Sequence, residues 1–263
     1  MAHKKGKGKL KTVLRIGGKI IKWFFIITIG LTIIYRWINP PITPLMVIRK
    51  CQDGATIKKE WVNIEDISPQ LIRAAIAAED NRFLGHKGFD FAAIQRVIIQ
   101  RKHDNKRFGA STISQQTAKN VFLFPDRSWI RKGLEVYFTC LIEVFWSKER
   151  IMEVYLNVIE TGDGIYGCQE ASQIYFHKSA AQLSKRESAL MVACFPSPRK
   201  RNPAHPTNYL NKQAAFIQNN MGKMGKIAFD KETIAAARQR YKDKEAKRIE
   251  KNDGKRLKLY LFE

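Results

Sequence analysis

An uncharged, mostly apolar stretch from Trp23 to Tyr35 is the feature that most constrains how this chain can fold. With its apolar neighbours it extends over residues 20–38, close to the ~20 residues that a helix needs to cross a bilayer. Lys22 and Arg36 lie near its ends, where long cationic side chains can reach the lipid headgroups. We therefore predict one transmembrane helix over 20–38, with a basic tail over 1–19 before it and a folded domain after it.

A cleaved signal peptide is the alternative interpretation of this stretch. No small-residue cleavage site follows it, and Asn39, Pro40 and Pro41 come instead. Residues 1–22 hold eight Lys and Arg and no acidic residue, which predicts a cytoplasmic N-terminus and an outward-facing domain. The formal net charge of +23 would suit nucleic acid, anionic lipid or a phosphate-rich substrate. The predicted topology argues against nucleic acid.

Two adjacent carboxylates, Glu79 and Asp80, end a helical pattern that starts at Ser68 and Pro69. The negative end of the helix dipole disfavours an anion there, and burial or a neighbouring carboxylate would do the same. One of the pair is therefore a candidate for proton transfer. A solvated helix end, with Asp80 pairing Arg82, is the alternative, and spacing alone favours it.

Two further blocks carry polar side chains on predicted helices. Thr112 to Gln115 match a capping box, which accounts for Thr112 and Gln115. It does not account for Gln116 and Lys119, which lie on one face of the predicted helix. In the second block Glu135 lies four residues after Arg131 and three after Lys132. A surface ion pair worth a few tenths of a kcal/mol is the simpler interpretation of that spacing.

Four motifs follow one another in a specific order. They read EDNRFLGHKG from Glu79, GASTISQQTAKN from Gly109, RKGLE from Arg131 and YLN from Tyr155. This series resembles the peptidoglycan glycosyltransferase family, which polymerises lipid II into glycan strands, and most closely its monofunctional biosynthetic members. The resemblance covers roughly residues 50–220. It implies a mainly α, lysozyme-like glycosyltransferase domain over 39–225 with a membrane-facing jaw subdomain, in keeping with the lack of clear alternating strand patterns.

The resemblance implies two catalytic carboxylates, with Glu79 as general base and Glu135 orienting a cation clamp on the substrate pyrophosphate. Further substrate-binding residues implied are Asp80, Phe83, His86, Gly88, Ser111, Thr112, Gln115, Gln116, Lys119, Asn120, Arg127, Arg131, Lys132 and Asn157. For three of these the pattern alone favours other roles. It indicates packing for Phe83, a structural hydrogen bond in a turn for His86, and hydrogen bonds that hold the cleft for Asn157.

The sequence requires no cofactor. Whether a divalent metal (Mg or Mn) binds at the pyrophosphate is left open. The partners implied are lipid II, the growing lipid-linked glycan and the membrane, with other cell wall synthesis or division proteins as an open option. The location implied is the bacterial cytoplasmic (inner) membrane. Two rivals are a lysozyme-like hydrolase that uses its Glu as an acid and a membrane-anchored nucleic-acid binder.

Three regions leave structural questions open. The apolar run from Val121 to Pro125 is either core or a lipid-facing patch, and the resemblance places it in the jaw. Residues 226–263 predict a basic, mostly helical tail, solvated or lying on anionic headgroups. Cys140 and Cys194 lie in apolar helical patterns and are predicted to be buried thiols.

Overall fold

The computed structural model describes residues 3–54, 56–103, 109, 111–126 and 128–260. The helices are α1 (His3–Ile34), α2 (Pro44–Asp53), α3 (Pro69–Glu79), α4 (Phe91–His103), α5 (Ile113–Phe122), α6 (Trp129–Phe145), α7 (Lys148–Val158), α8 (Cys168–Phe176), α9 (Lys185–Cys194), α10 (Asn208–Lys223) and α11 (Lys231–Tyr260). Short 3-10 helices cover Ile64–Asp66 and Ala180–Gln182. The fold is mainly α, as predicted.

A small sheet is the non-helical part of this architecture. Its strands are β1 (Lys58–Lys59), β2 (Glu160–Gly162) and β3 (Ile165–Tyr166), in the order β1-β3-β2. The first pairs parallel to β3, with Lys58 opposite Ile165, and β2 pairs antiparallel to it. All three strands, each two or three residues long, pack against α8.

The long N-terminal helix α1 contains the segment Leu14–Ile34, which is long and apolar enough to span a membrane. It ends at Ile34, four residues before the predicted end, and begins at His3, so the predicted tail is helical from residue 3. Thr28 and Tyr137 hydroxyls lie 2.8 Å apart, and Trp146 Nε1 donates to the Thr32 carbonyl at 2.7 Å. The C-terminal half of α1 therefore packs against α6 and against Trp146, which follows it.

The core forms where the helices of the domain turn their apolar faces inward. Helix α9 packs against α3 and α10, while α5 packs between α6 and α7. Leu71, Ile113, Met152 and Leu156 are fully buried in that core. Side-chain caps set the helix starts: Ser68 accepts from the backbone of α3, and Thr112 with Gln115 forms the predicted capping box of α5.

The structure resolves the open question about the apolar run Val121–Pro125 and corrects the prediction for Cys140. Phe122 stacks on Phe138 with ring centroids 4.5 Å apart and Leu123 is 4% exposed, whereas Phe124 is 47% exposed. Val121, Phe122 and Leu123 therefore belong to the core, and the chain reaches the surface at Phe124 and Pro125, just after α5 ends. Cys194 is buried as predicted, but Cys140 is an exposed free thiol because it lies on the outer face of α6.

Helix α11 does not behave as a wholly solvated tail. Ile234 and Ala237 pack against the core, and Tyr241 contacts the turn that follows α3. Arg82 in that turn lies 3.6 Å from Glu245. The interpretation of 226–263 as solvated is therefore wrong for the first half of α11, which is docked.

Candidate active site

Glu79 is the last residue of α3, and its carboxylate faces α5. Gln116 Nε2 donates to Glu79 Oε2 at 2.7 Å, and the Tyr155 hydroxyl approaches Gln116 Oε1 at 3.4 Å. Burial raises the pKa of the Glu79 carboxyl, Asp80 adds to the rise, and the Gln116 hydrogen bond and Lys119 oppose it. A half-buried carboxyl with a raised pKa, held by a neutral amide, is suited to exchanging a proton.

Asp80 points away from solvent and holds the start of α5. Its carboxylate accepts from the Ile113 backbone N–H at 3.1 Å and lies 2.9 Å and 3.0 Å from His86 Nε2. The positive end of the α5 dipole favours an anion there. Arg82 instead contacts Asp90 at 3.5 Å, so the alternative of a solvated Asp80–Arg82 pair is wrong.

The turn over residues 80–90, named here the Asp80 turn, is locked to its surroundings. His86 is 2% exposed, which agrees with a structural hydrogen-bonding role. Thr112 Oγ1 donates to the Gly88 carbonyl at 2.6 Å. Gly88 has a φ of +87°, and a Cβ there would lie 2.8 Å from Thr139 Cγ2, so only glycine fits without strain.

A cationic cluster lies beside the Glu79 cleft on α5 and α6. Glu135 is 3% exposed, and its oxygens accept from Arg131 Nη1 at 2.7 Å and from Lys132 Nζ. The Lys119 side chain as a whole is exposed, but its ammonium group is partly surrounded by protein atoms. Partial burial lowers the Lys119 pKa, Arg131 and Lys132 lower it further, and Glu135 and Glu79 oppose the shift. The simpler interpretation of Glu135 as a surface ion pair is therefore wrong, since this carboxylate is buried.

Two cavities place these groups next to each other. One of about 160 Å³ is lined by Glu79, Asp80, Ser111 and Thr112. The other, of about 460 Å³, is lined by Lys119, Asn120, Phe124 and Arg131, among others. Lys119, which lines the larger cavity, lies close enough to Glu79 in the smaller one to lower the pKa of that carboxyl.

Some predicted site residues do not reach these cavities. Phe83 is fully buried, with Lys148 Nζ 4.5 Å from its ring centroid. Asn157 is also fully buried and exchanges two 2.9 Å hydrogen bonds with the Val62 backbone. Direct substrate contact is therefore wrong for Phe83 and Asn157, which pack and hold the cleft. Arg127 lies outside the described residues.

The buried position of several other predicted residues limits what they can touch. Asp80, His86, Gly88, Thr112 and Gln115 are all buried and bonded to one another or to the backbone. They shape the walls behind Glu79. Gln116, Lys119, Arg131 and Lys132 are the predicted side chains with solvent access at the cleft, together with Ser111 at its edge.

Sequence reasoning missed a buried charge network under the site. Glu143 accepts from the Ser114 hydroxyl and from Lys148 Nζ at 2.6 Å. Burial lowers the pKa of Lys148, whereas Glu143 opposes that shift. Nothing in the sequence pairs Glu143 with Ser114, which lies 29 positions away.

No group of three or more His, Cys, Asp and Glu side chains is placed to hold a metal within the part of the chain that the structure describes. Both oxygens of Glu135 accept hydrogen bonds from cations. Asp126 and Glu160 line the same pocket as Lys119 and Arg131, so carboxylate oxygens, the ligands that Mg and Mn prefer, are present there.

Comparison with known proteins gives one consistent result. A family model described as "Transglycosylase" matches residues 46–222. A protein of Bacteroides thetaiotaomicron named "Biosynthetic peptidoglycan transglycosylase" is 51% identical over 213 residues, which are 79% of this chain and 86% of that protein. A protein of the same name from Bdellovibrio bacteriovorus is 49% identical over 73% of this chain and 79% of that protein. Another from Caulobacter vibrioides is 52% identical over 70% of this chain and 80% of that protein.

Proposed function

Because the chain belongs to the transglycosylase family, we propose that Glu79 is the general base of a lipid II polymerisation reaction. The chain is a peptidoglycan glycosyltransferase of cell wall synthesis. The observation that carries the assignment of Glu79 is its position: a carboxyl with a raised pKa lies beside a pocket lined by cations. A sugar hydroxyl is a weak nucleophile, and base assistance contributes roughly 10²–10⁴ in rate.

The proposed reaction joins two lipid-linked sugars. The donor is the growing glycan on its lipid pyrophosphate, and the acceptor is lipid II. The acceptor 4-hydroxyl oxygen forms a bond to the donor anomeric carbon while its proton passes to Glu79. The bond from that carbon to the pyrophosphate oxygen breaks, and the undecaprenyl pyrophosphate leaves with the electron pair. The α-linked donor thus gives a β-1,4 product with inversion.

The departing pyrophosphate gathers negative charge, which the cationic cluster is suited to stabilise. Lys119, Arg131 and Lys132 supply that charge, and Arg127 is proposed to join them. Glu135 holds Arg131 and Lys132 in place, so its proposed role is to orient the clamp. A divalent metal (Mg or Mn) at the pyrophosphate is left to experiment.

The proposed location is the bacterial cytoplasmic membrane, with α1 as a single-pass anchor. The eight Lys and Arg of residues 1–22 support a cytoplasmic N-terminus and an outward-facing domain. Phe124, Trp129 and Ile130 are 47%, 91% and 79% exposed, which supports a membrane-facing jaw around the start of α6. The proposed partners are the membrane, lipid II and the growing glycan, and an association with other cell wall or division proteins is left to experiment.

The test of this proposal is polymer formation from labelled lipid II by the full-length protein in detergent or vesicles. We expect lipid-linked glycan polymer and release of undecaprenyl pyrophosphate. Release of reducing sugar from finished peptidoglycan without any polymer would instead indicate the lysozyme-like alternative. Glu65→Gln, which changes an exposed glutamate outside the cleft, should match the unsubstituted protein in this assay.

A further inference from the structure

Helix α11 lies after the residues that the family model matches, yet it docks on the Asp80 turn. The ring centroids of Tyr241 and His86 lie 6.1 Å apart, and the rings meet edge to face at 69°. The Arg82 guanidinium lies 5.8 Å from the centroid of the same tyrosine ring. The Tyr241 hydroxyl is 3.5 Å from Asp90 Oδ1. One aromatic side chain therefore contacts the beginning, the middle and the end of the turn.

The backbone of α11 also approaches the turn closely at Gly85. A Cβ added there would lie 2.9 Å from Tyr241 Cβ and 3.1 Å from the Ala237 carbonyl oxygen. Glu245 extends the contact one helical turn further through its 3.6 Å approach to Arg82. The docked face of α11 thus runs from Ala237 to Glu245, and the missing side chain of Gly85 makes room for it.

The position of Glu79 depends on the Asp80 turn. His86 holds Asp80, and Asp80 holds the first backbone N–H of α5. The same helix carries Gln116, which donates to Glu79. A displacement of His86 would therefore reach Glu79 through two routes, by the backbone from Asp80 and by the hydrogen bond from Gln116.

We propose that α11 braces the Asp80 turn and that Tyr241 is a positioning residue for Glu79. This inference rests on the proposed function of Glu79. Tyr241 acts through His86 and does not line the cation pocket, so its loss should affect turnover and leave lipid II binding unchanged. A misplacement of the reacting groups by about 1 Å can lower a rate by up to ~10².

The test compares Tyr241→Ala, Tyr241→Phe and Tyr209→Ala in the full-length protein, with kcat and KM for lipid II and the melting temperature measured for each. We expect Tyr241→Ala to lower kcat on the order of tenfold at unchanged KM. Tyr241→Phe keeps the ring and loses a long hydrogen bond, so it should stay within about twofold. Tyr209 is the matched control because it also lies beneath an arginine, Arg201, at 5.2 Å, but far along the chain from the turn.

Gly85→Ala provides an independent variant, because it leaves the amino-acid sequence of α11 unchanged. Its added methyl group would push Tyr241 and Ala237 away from the turn, so we expect the same loss of kcat at unchanged KM. Unchanged kcat in both Tyr241→Ala and Gly85→Ala would overturn the brace. A loss of activity that only follows the folded fraction, with Tyr241→Phe as damaging as Tyr241→Ala, would overturn it too. If the unsubstituted protein made no polymer, the proposed function itself would be refuted.

Discussion

Glu79 at the end of α3 and Glu135 in α6 both lie within electrostatic reach of Lys119 on α5, and they differ in their partners. Glu79 is half-buried and receives a hydrogen bond from the neutral Gln116 amide. Glu135 is 3% exposed and receives hydrogen bonds from two cations. The more buried carboxylate is thus the better compensated one. Burial of Glu79 beside a neutral amide raises the pKa of its carboxyl, which suits it to exchanging a proton.

Glu79→Gln is the change that would break this comparison most strongly. It keeps the size of the side chain and a hydrogen bond to Gln116 but removes proton acceptance. Polymerisation should fall by roughly 10²–10⁴, with lipid II binding little changed. Labelled lipid II assays with a binding measurement check both quantities.

The fold should tolerate this substitution. The pKa of Glu79 is raised in the folded state, so the ionised carboxyl destabilises the fold at pH values above its ordinary range. A neutral glutamine removes that penalty, and the melting temperature at neutral pH should hold or rise. A lower melting temperature would mean that the loss of activity includes unfolding.

Glu135→Gln sharpens the comparison from the other side and should have a milder effect. It leaves Arg131 and Lys132 without their shared anion, so both donor binding and turnover should weaken, by about tenfold overall. Lys119→Ala acts on the same donor interaction. The double variant should therefore lose less than the sum of the single effects, expressed as free energies. Strict additivity would argue that Glu135 works independently of the cations.

The last comparison concerns stability and the two phenylalanines at the end of α5 and just after it, of which Phe124 should show the smallest effect of all. Phe122→Ser should lower the free energy of unfolding by about 3–5 kcal/mol, because it removes a ring stacked on Phe138. Phe124→Ser changes an exposed side chain at the cation pocket and should alter stability by about 0.5 kcal/mol or less. Chemical denaturation measures both. Equal losses would contradict the separation of core from jaw surface at this position.

Much of the site was predictable from motif order, because each block carries side chains of the right chemistry. The capping residues Ser68 and Thr112 also fixed two helix starts correctly. The sequence did not reveal the direction in which side chains point once a helix ends, so Phe122 and Phe124 could not be told apart. The pattern did indicate packing for Phe83 and cleft-holding hydrogen bonds for Asn157, and both residues are fully buried.

The docking of α11 was hidden from sequence for a different physical reason. Few apolar residues mark the contact face, and the interface depends on one ring and on the absence of a side chain at Gly85. A composition rich in charge is typical of a solvated helix. Long-range contacts between Tyr241 and residues some 150 positions earlier leave no periodic signal.

The pH dependence of single-turnover polymerisation tests the central claim, that Glu79 is the base, most directly. As the pH falls through the raised pKa of Glu79, the carboxyl takes up a proton and can no longer accept one from the acceptor hydroxyl. We predict that the rate of the unsubstituted protein falls on its acidic side, at a pH above the ordinary glutamate range. Glu79→Gln should lose that dependence along with most of its rate. A Glu79→Gln protein that polymerises near the normal rate with the same acidic limb would contradict the account, and an inactive Glu135→Gln beside it would exchange the two roles.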